Sequence, residues 1–295
     1  MKKFVLLLFL LLVGATTAMA EIASTVYSYA GNGIGYWGKG KTETYDVAIC
    51  LNDPSLAGMK ITGLSALINT SEGLSDVSMW LTSELKLENK SNIVDIMRQE
   101  TVPVSEGNEG WPSLSRISVT FDEPYILTGA PVYAGYSFKV DENTTEALKY
   151  PVIISNDVNP DGLYVHLSKS VLQWLDYSEK VGGVAAIYVT LEGDFPSCSL
   201  DIKSLEPGYA VSGEDFEVIA SLLNTGIEEV TDIDYTCSVG EDSYDMHFDL
   251  QYPLLTDLVK VNHISLPVRA IDNLGNHELT LTINKVNGKP NESVS

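Results

Sequence analysis

The chain is poor in the residues that build reactive centres. Its 295 residues include three cysteines and four histidines. Cys50, Cys198 and Cys237 form neither a C-x-x-C pair nor a zinc-ligand spacing, which argues against a thioredoxin-type redox motif and a Cys/His metal site. An odd count of three also makes a disulfide framework a poor reading. A Cys198–Cys237 bridge stays open, with three separate, partly buried thiols preferred. His166, His247, His263 and His277 make no H-E-x-x-H motif and no i, i+4 pair, so a helical metalloprotease site is not signalled. There is no G-x-S-x-G elbow to hold a hydrolase nucleophile.

Positive charge is scarce as well. Eighteen Lys and Arg face forty Asp and Glu, a formal net charge of −22. A surface this acidic repels phosphate backbones and anionic lipid headgroups, so nucleic-acid binding is excluded as a main role. Carboxylates are too abundant for any pair to stand out as an acid/base couple. Beyond residue 20 no apolar run approaches the roughly 20 residues needed to cross a bilayer as a helix.

The first twenty residues do carry a signal. Lys2 and Lys3 precede an apolar run from Phe4 to Val13, and small residues end in Ala18-Met19-Ala20. A charged start, an apolar middle and an A-x-A end predict a secretory signal peptide over 1–20. Losing Lys2 and Lys3 takes the formal charge from −22 to −24. The expected location is the periplasm, the outer membrane's periphery or the exterior.

Period-2 alternation runs through the rest. "YDVAICL" (45–51), "KITGLSALI" (60–68), "DVSMWLT" (76–82), "RISVTF" (116–121), "VYAGYSFKV" (132–140), "YPVIIS" (150–155), "LYVHL" (163–167) and "GVAAIYVTLEG" (183–193) all read as strands. Gly, Pro, Asn, Asp and Ser fill the spacers, as turns require. One short helix is expected around 90–99, where Ile93, Ile96 and Met97 have helical spacing. Pro196, in "EGDFPSCSL", interrupts the series, and a second begins: "DFEVIASLLN", "VTDIDYTCSV", "SYDMHFDL", "LVKVNHISLPV" and "HELTLTINKV". The expected architecture is all-β. A jelly-roll-like sandwich occupies 21–195, an immunoglobulin-like one 197–288, and a disordered tail 289–295.

One glycine-rich stretch imitates a nucleotide site. In "GNGIGYWGKGKT" (31–42), Gly33, Gly35 and Gly38 fit G-x-G-x-x-G, while Gly35, Gly40, Lys41 and Thr42 fit G-x-x-x-x-G-K-[ST]. Phosphate binding needs a helix N-terminus directly after the loop. "ETYDVAICL" alternates like a strand instead, so the glycines are read as loop residues.

Two other features qualify as candidate sites. "DVNPDGL" places Asp157, Asn159 and Asp161 at positions one, three and five of a calcium-type loop, with Gly162 at six. Position twelve is Ser168 rather than a bidentate Glu, and Asn-Pro-Asp-Gly is itself a turn signal, so the turn is preferred over the cation. No other cofactor is indicated. Trp37 ("GYWGKG") and Trp111 ("EGNEGWPS") lie in glycine-rich loops, where indoles can stack on a sugar or anchor a partner; rim packing is the plainer account.

Several phrases together carry a family likeness. "GYWGKGKTETYDVAICLNDPSLAGMKITGLSALI", "FDEPYILTGAPVYAGYSF", "WLDYSEKVGGVAAIYVTLEGDFP" and "SLLNTGIEEVTDIDY" resemble the N-terminal region of secreted multidomain proteins of the Bacteroidetes. In those, a jelly-roll-like sandwich precedes an immunoglobulin-like module of the CARDB type. The resemblance spans roughly 25–290. With no catalytic motif in the chain, and two packed sandwiches presenting rigid loops at their ends, the expected role is a non-catalytic module that binds or displays, with a glycan or a protein surface as partner. Relatives often carry a thioredoxin-like or papain-like peptidase domain as well, so an accessory region of such a precursor is the alternative. No position here matches a catalytic residue of either. A glycosidase is a further alternative and would need two carboxyl groups in one cleft.

Overall fold

A computed structural model describes residues 22–30, 34–88, 92–93, 96–101, 115–142, 144–156, 158–207, 213–240, 242–269 and 277–293. The signal-peptide reading of 1–20 lies outside these residues. The described chain is nearly all strand. The first group is β1 (Ile22–Tyr27), β2 (Gly35–Trp37), β3 (Thr44–Leu51), β4 (Lys60–Ile68), β5 (Leu74–Thr82), β6 (Leu87–Glu88), β7 (Asn92–Ile93) and β8 (Ile96–Thr101). Then come β9 (Ser115–Ile126), β10 (Val132–Val140), β11 (Val152–Ser155), β12 (Tyr164–Leu167), β13 (Val171–Asp176), β14 (Val184–Ala185) and β15 (Ile187–Asp194). The last group is β16 (Leu200–Pro207), β17 (Phe216–Asn224), β18 (Val230–Val239), β19 (Asp242–Leu254), β20 (Val261–Val268), β21 (Leu279–Val286) and β22 (Lys289–Pro290).

The helix expected at 90–99 is absent from the described part of that stretch: β7 and β8 are extended, and β8 pairs antiparallel with β5. Ile93, Ile96 and Met97 are too few to fix a period, and the free edge of β5 offers a ladder that outweighs weak local preference.

Two sheets enclose the first core. A six-stranded sheet runs in the order β13-β12-β3-β10-β5-β8. In the facing sheet β1, β15 and β4 lie side by side, β9 pairs with β4, and β11 joins with β2 and β14. Alternation sends Tyr45, Val47, Ile49 and Leu51 of β3 into this core. Their intervening neighbours Asp46, Ala48 and Cys50 are buried too, so β3 is covered on both faces. Part of that cover is Trp80, fully buried, whose ring lies against Gly135 of β10. A Cβ there would sit 2.5 Å from the indole and 2.6 Å from the Val47 carbonyl oxygen. Only glycine lets the ring lie flat on the sheet.

The glycine-rich loop has a packing role. Gly38 abuts the Lys149 carbonyl, where a Cβ would come within 2.2 Å, and Gly40 adopts φ 60° and donates its N–H to the same oxygen. β3 follows directly after it, so among the described residues no helix starts where a phosphate cradle would need one.

The second core lies between the sheets β16-β17-β20 and β19-β18-β21-β22. Its buried members run from Cys198 to Val286, whereas those of the first core run from Tyr27 to Phe195. Tyr235 ties its two sheets together, donating its hydroxyl to the Pro267 carbonyl at 2.7 Å. β19 and β20 follow one another in sequence but belong to different sheets, and each is an edge. All three cysteines are buried free thiols.

The stretch expected to be a disordered tail is ordered as far as 293. β22 pairs with β21, and Asn291 Oδ1 accepts the Leu200 N–H while its amide donates to the Leu200 carbonyl. Glu292 N–H donates to Cys198 O at 2.9 Å, and Ile22 pairs with Asp194. A polar sequence concealed these bonds because they satisfy β16 backbone roughly ninety residues away.

Candidate functional site

The open flank of the second core forms a concavity, and it begins with a ladder irregularity. Asp232 pairs with Asp249 and Val230 with Leu254, so Leu250–Pro253 of β19 sit opposite Thr231 alone. A bulge of this size bends an edge strand and re-aims its side chains. Phe248 and Leu250 remain half-buried against the core, while Tyr252 is thrown outward to 75 % exposure.

The connection from β19 to β20 then crosses to the first core. Leu258 N–H donates to Val26 O at 2.9 Å, and Leu258 and Val259 pack on the first cluster. Asp257, only 6 % exposed, accepts N–H bonds at Oδ1 from Ser28 (3.2 Å) and Val259 (3.0 Å). Burial pushes its carboxyl up to about 6, against the N–H groups of Val259, Ser28 and Lys260 that favour the charged form. Tyr29 stands beside this latch. Its hydroxyl donates to Cys50 O at 3.0 Å, so the Tyr27 hydroxyl, also 3.0 Å away, must donate to Tyr29.

Between these parts lies a groove of about 1000 Å³. The first core contributes Tyr29 and Asn159. The second contributes Phe248, Gln251, Tyr252, Leu255, Val261 and Asn262 among others. Leu255 is 54 % exposed and Val261 38 %, and with Tyr252 they give the groove an apolar rim. None of the lining residues is Asp or Glu, so this groove does not supply the carboxyl pair that glycoside hydrolysis requires.

The residues singled out in the sequence scatter. Asn159 joins the groove. Gly162 N–H donates to Asn159 O, closing a turn in which Asp161 adopts φ 69°. The Asp161 carboxylate accepts the Tyr164 hydroxyl at 2.7 Å. Asp157, the remaining calcium candidate, lies outside the described residues, as does Trp111. Trp37 is half-buried, edge-on to Tyr177 at 5.7 Å and to Tyr45 at 6.5 Å, with the Lys39 ammonium 5.8 Å from its ring. Among the described residues no three His, Cys, Asp or Glu side chains converge to hold a metal. No described helix is long and apolar enough to cross a membrane.

A second polar cluster lies on the far face of the six-stranded sheet. His166 and Asp46, on paired strands, bond Nδ1 to Oδ2 at 2.7 Å. Ser137 Oγ donates to Asp46 Oδ1 at 2.5 Å, and Trp80 Nε1 donates to Ser137 Oγ at 2.8 Å. Ser, His and Asp here do not form a nucleophilic relay, which requires the serine on His Nε2. The serine is on the carboxylate, and the imidazole is fully buried. This network fastens β12, β3, β10 and β5 together.

No protein-family model matches the chain, and no curated protein is similar to it in sequence.

Proposed function

We propose that this chain is the binding or display part of an exported protein, with no catalysis of its own, and that the groove beside Tyr252 is its contact surface. The carrying observation is the groove itself: exposed Tyr252, Leu255 and Val261 line a concavity held open by a bulged edge strand and a connection latched to the first core. Rigid elements that present apolar side chains around unpaired polar ones are the usual build of a recognition surface. The export pattern at 1–20 and the likeness to the N-terminal sandwich and CARDB-type region of secreted Bacteroidetes proteins support the same reading, with a cell-envelope or extracellular setting and an adhesive role. The partner class is a glycan or a protein surface.

The test uses the chain from Glu21 onward, probed against printed glycans and purified extracellular proteins, beside a Leu255→Arg variant that fills and charges the groove. The expected result is capture by the parent and loss in the variant. Capture that Leu255→Arg leaves intact would place the contact elsewhere, and no capture at all would refute the reading.

A further inference from the structure

We infer that the groove takes a neutral oligosaccharide, with the Tyr252 ring as stacking platform and the amides of Gln251, Asn262 and Asn159 reading hydroxyl groups; this rests on the groove being the contact surface. Lining chemistry narrows the ligand. In a chain with forty carboxyl side chains the lining holds none; Lys260 is its one Lys or Arg, and His263 lies in the same wall. A ligand with little charge fits such a wall, whereas an anionic one meets the chain's net charge of −22. What the wall does offer is rings and amides. A carboxamide carries both a donor and an acceptor, the pairing that two neighbouring hydroxyls require.

That hydrogen-bonding capacity is largely unused. The Gln251 and Asn159 side chains make no hydrogen bond among the described residues. Asn262 donates its amide to Lys260 O at 3.1 Å, which leaves its side-chain oxygen open. Tyr252, at 75 % exposure, provides a broad rigid face with only two side-chain torsions to order on binding. At about 1000 Å³ the groove reaches the upper end of ligand pockets, about 300–1,000 Å³, so it suits several linked sugars better than one.

A peptide that adds a strand is the competing occupant, and the backbone on the β19 side opposes it; β20, the other edge at the groove, keeps an unbroken ladder with β17, so capture of a purified protein is the outcome that tests strand addition there. Strand addition needs consecutive edge N–H and C=O groups in ladder geometry. At the groove, β19 departs from its ladder for four residues, one of them Pro253 without an N–H.

The experiment probes the chain from Glu21 with immobilised cello-, xylo-, manno- and galacto-hexaoses, with sialylated and sulfated glycans as anionic probes, and titrates any neutral binder by calorimetry. Expected are binding of at least one neutral hexaose, a Kd weakened about tenfold or more by Tyr252→Ala, as for a central aromatic contact, and an unchanged Tm. Neutral-glycan binding indifferent to Tyr252→Ala would overturn the site. Binding confined to anionic glycans would overturn the ligand class. Groove-dependent capture of a purified protein, without any neutral hexaose bound, would overturn the oligosaccharide and leave the binding-module reading standing. No ligand of either kind would remove both.

Discussion

Asp257 should make this protein less stable as pH rises through the mildly acidic range, the reverse of the usual behaviour of a hydrogen-bonded carboxylate. The side chain is 6 % exposed, and burial raises its carboxyl from the ordinary 3.8 to about 6. Between those values the folded chain holds a proton that the unfolded chain has released. The favourable contribution is therefore fully present below about pH 4 and lost as pH climbs past 6. At 1.36 kcal/mol per pH unit the loss amounts to ~3 kcal/mol. Two groups face the carboxyl from packed elements: the Lys260 ammonium, which favours its charged form, and the Tyr188 phenol. Burial pushes the Tyr188 phenol up, so it stays protonated across the window concerned. Asp257→Asn keeps an oxygen for the Ser28 and Val259 N–H groups but never ionises. Its stability should match the parent's at pH 4 and exceed it above pH 7 by as much as ~3 kcal/mol, less whatever the weaker neutral hydrogen bonds give up. Urea denaturation of both proteins at one-unit steps from pH 4 to 8 measures this directly. If the difference between the two curves stays constant across that range, the carboxyl is not desolvated in the way the junction geometry implies.

Two further predictions concern the cores. Gly135→Ala forces a methyl into the Trp80 indole and the Val47 carbonyl oxygen, and should cost about 3 kcal/mol in urea denaturation; Gly135→Ala together with Trp80→Phe should recover part of it. Cys50 is held protonated, its thiol pushed up to about 12 by burial first and by Asp161 second, and burial raises Cys198 and Cys237 in the same direction. Ellman's reagent at pH 8 should therefore modify essentially no cysteine in the native protein and all three in urea; rapid native labelling would contradict the buried placement.

Much of the fold was legible because one side of each strand is apolar and the pleat has a period of two. "YDVAICL" and "VYAGYSFKV" run extended as β3 and β10, and the glycine-rich loop before β3 serves packing, as the missing helix pattern implied. What escaped depends on distant partners. Asp46 reads in sequence as a solvent-facing position, yet it is buried because His166, 120 positions along the chain, supplies its partner. The tail was misjudged for the same reason, since Asn291 is defined by Leu200. Of the groove, only Asn159 was marked beforehand, and for a different ligand. "QYPLL" has no alternation to follow, and nothing local states that its tyrosine will be expelled by a four-against-one mismatch with β18. Tyr252 was visible only as an aromatic beside a proline at the end of a strand pattern, a cue too common to single it out.

Residues 22 and 292 are fastened to backbone only four positions apart, at Asp194 and Cys198. Traction applied between them would pull each outer segment off its neighbour from the near end, one bond at a time, as a zip opens. A ladder loaded lengthwise shares the force among all its bonds; this arrangement concentrates it on the first. Both cores would be bypassed, because the load path runs only through these two pairings and the short connection between them.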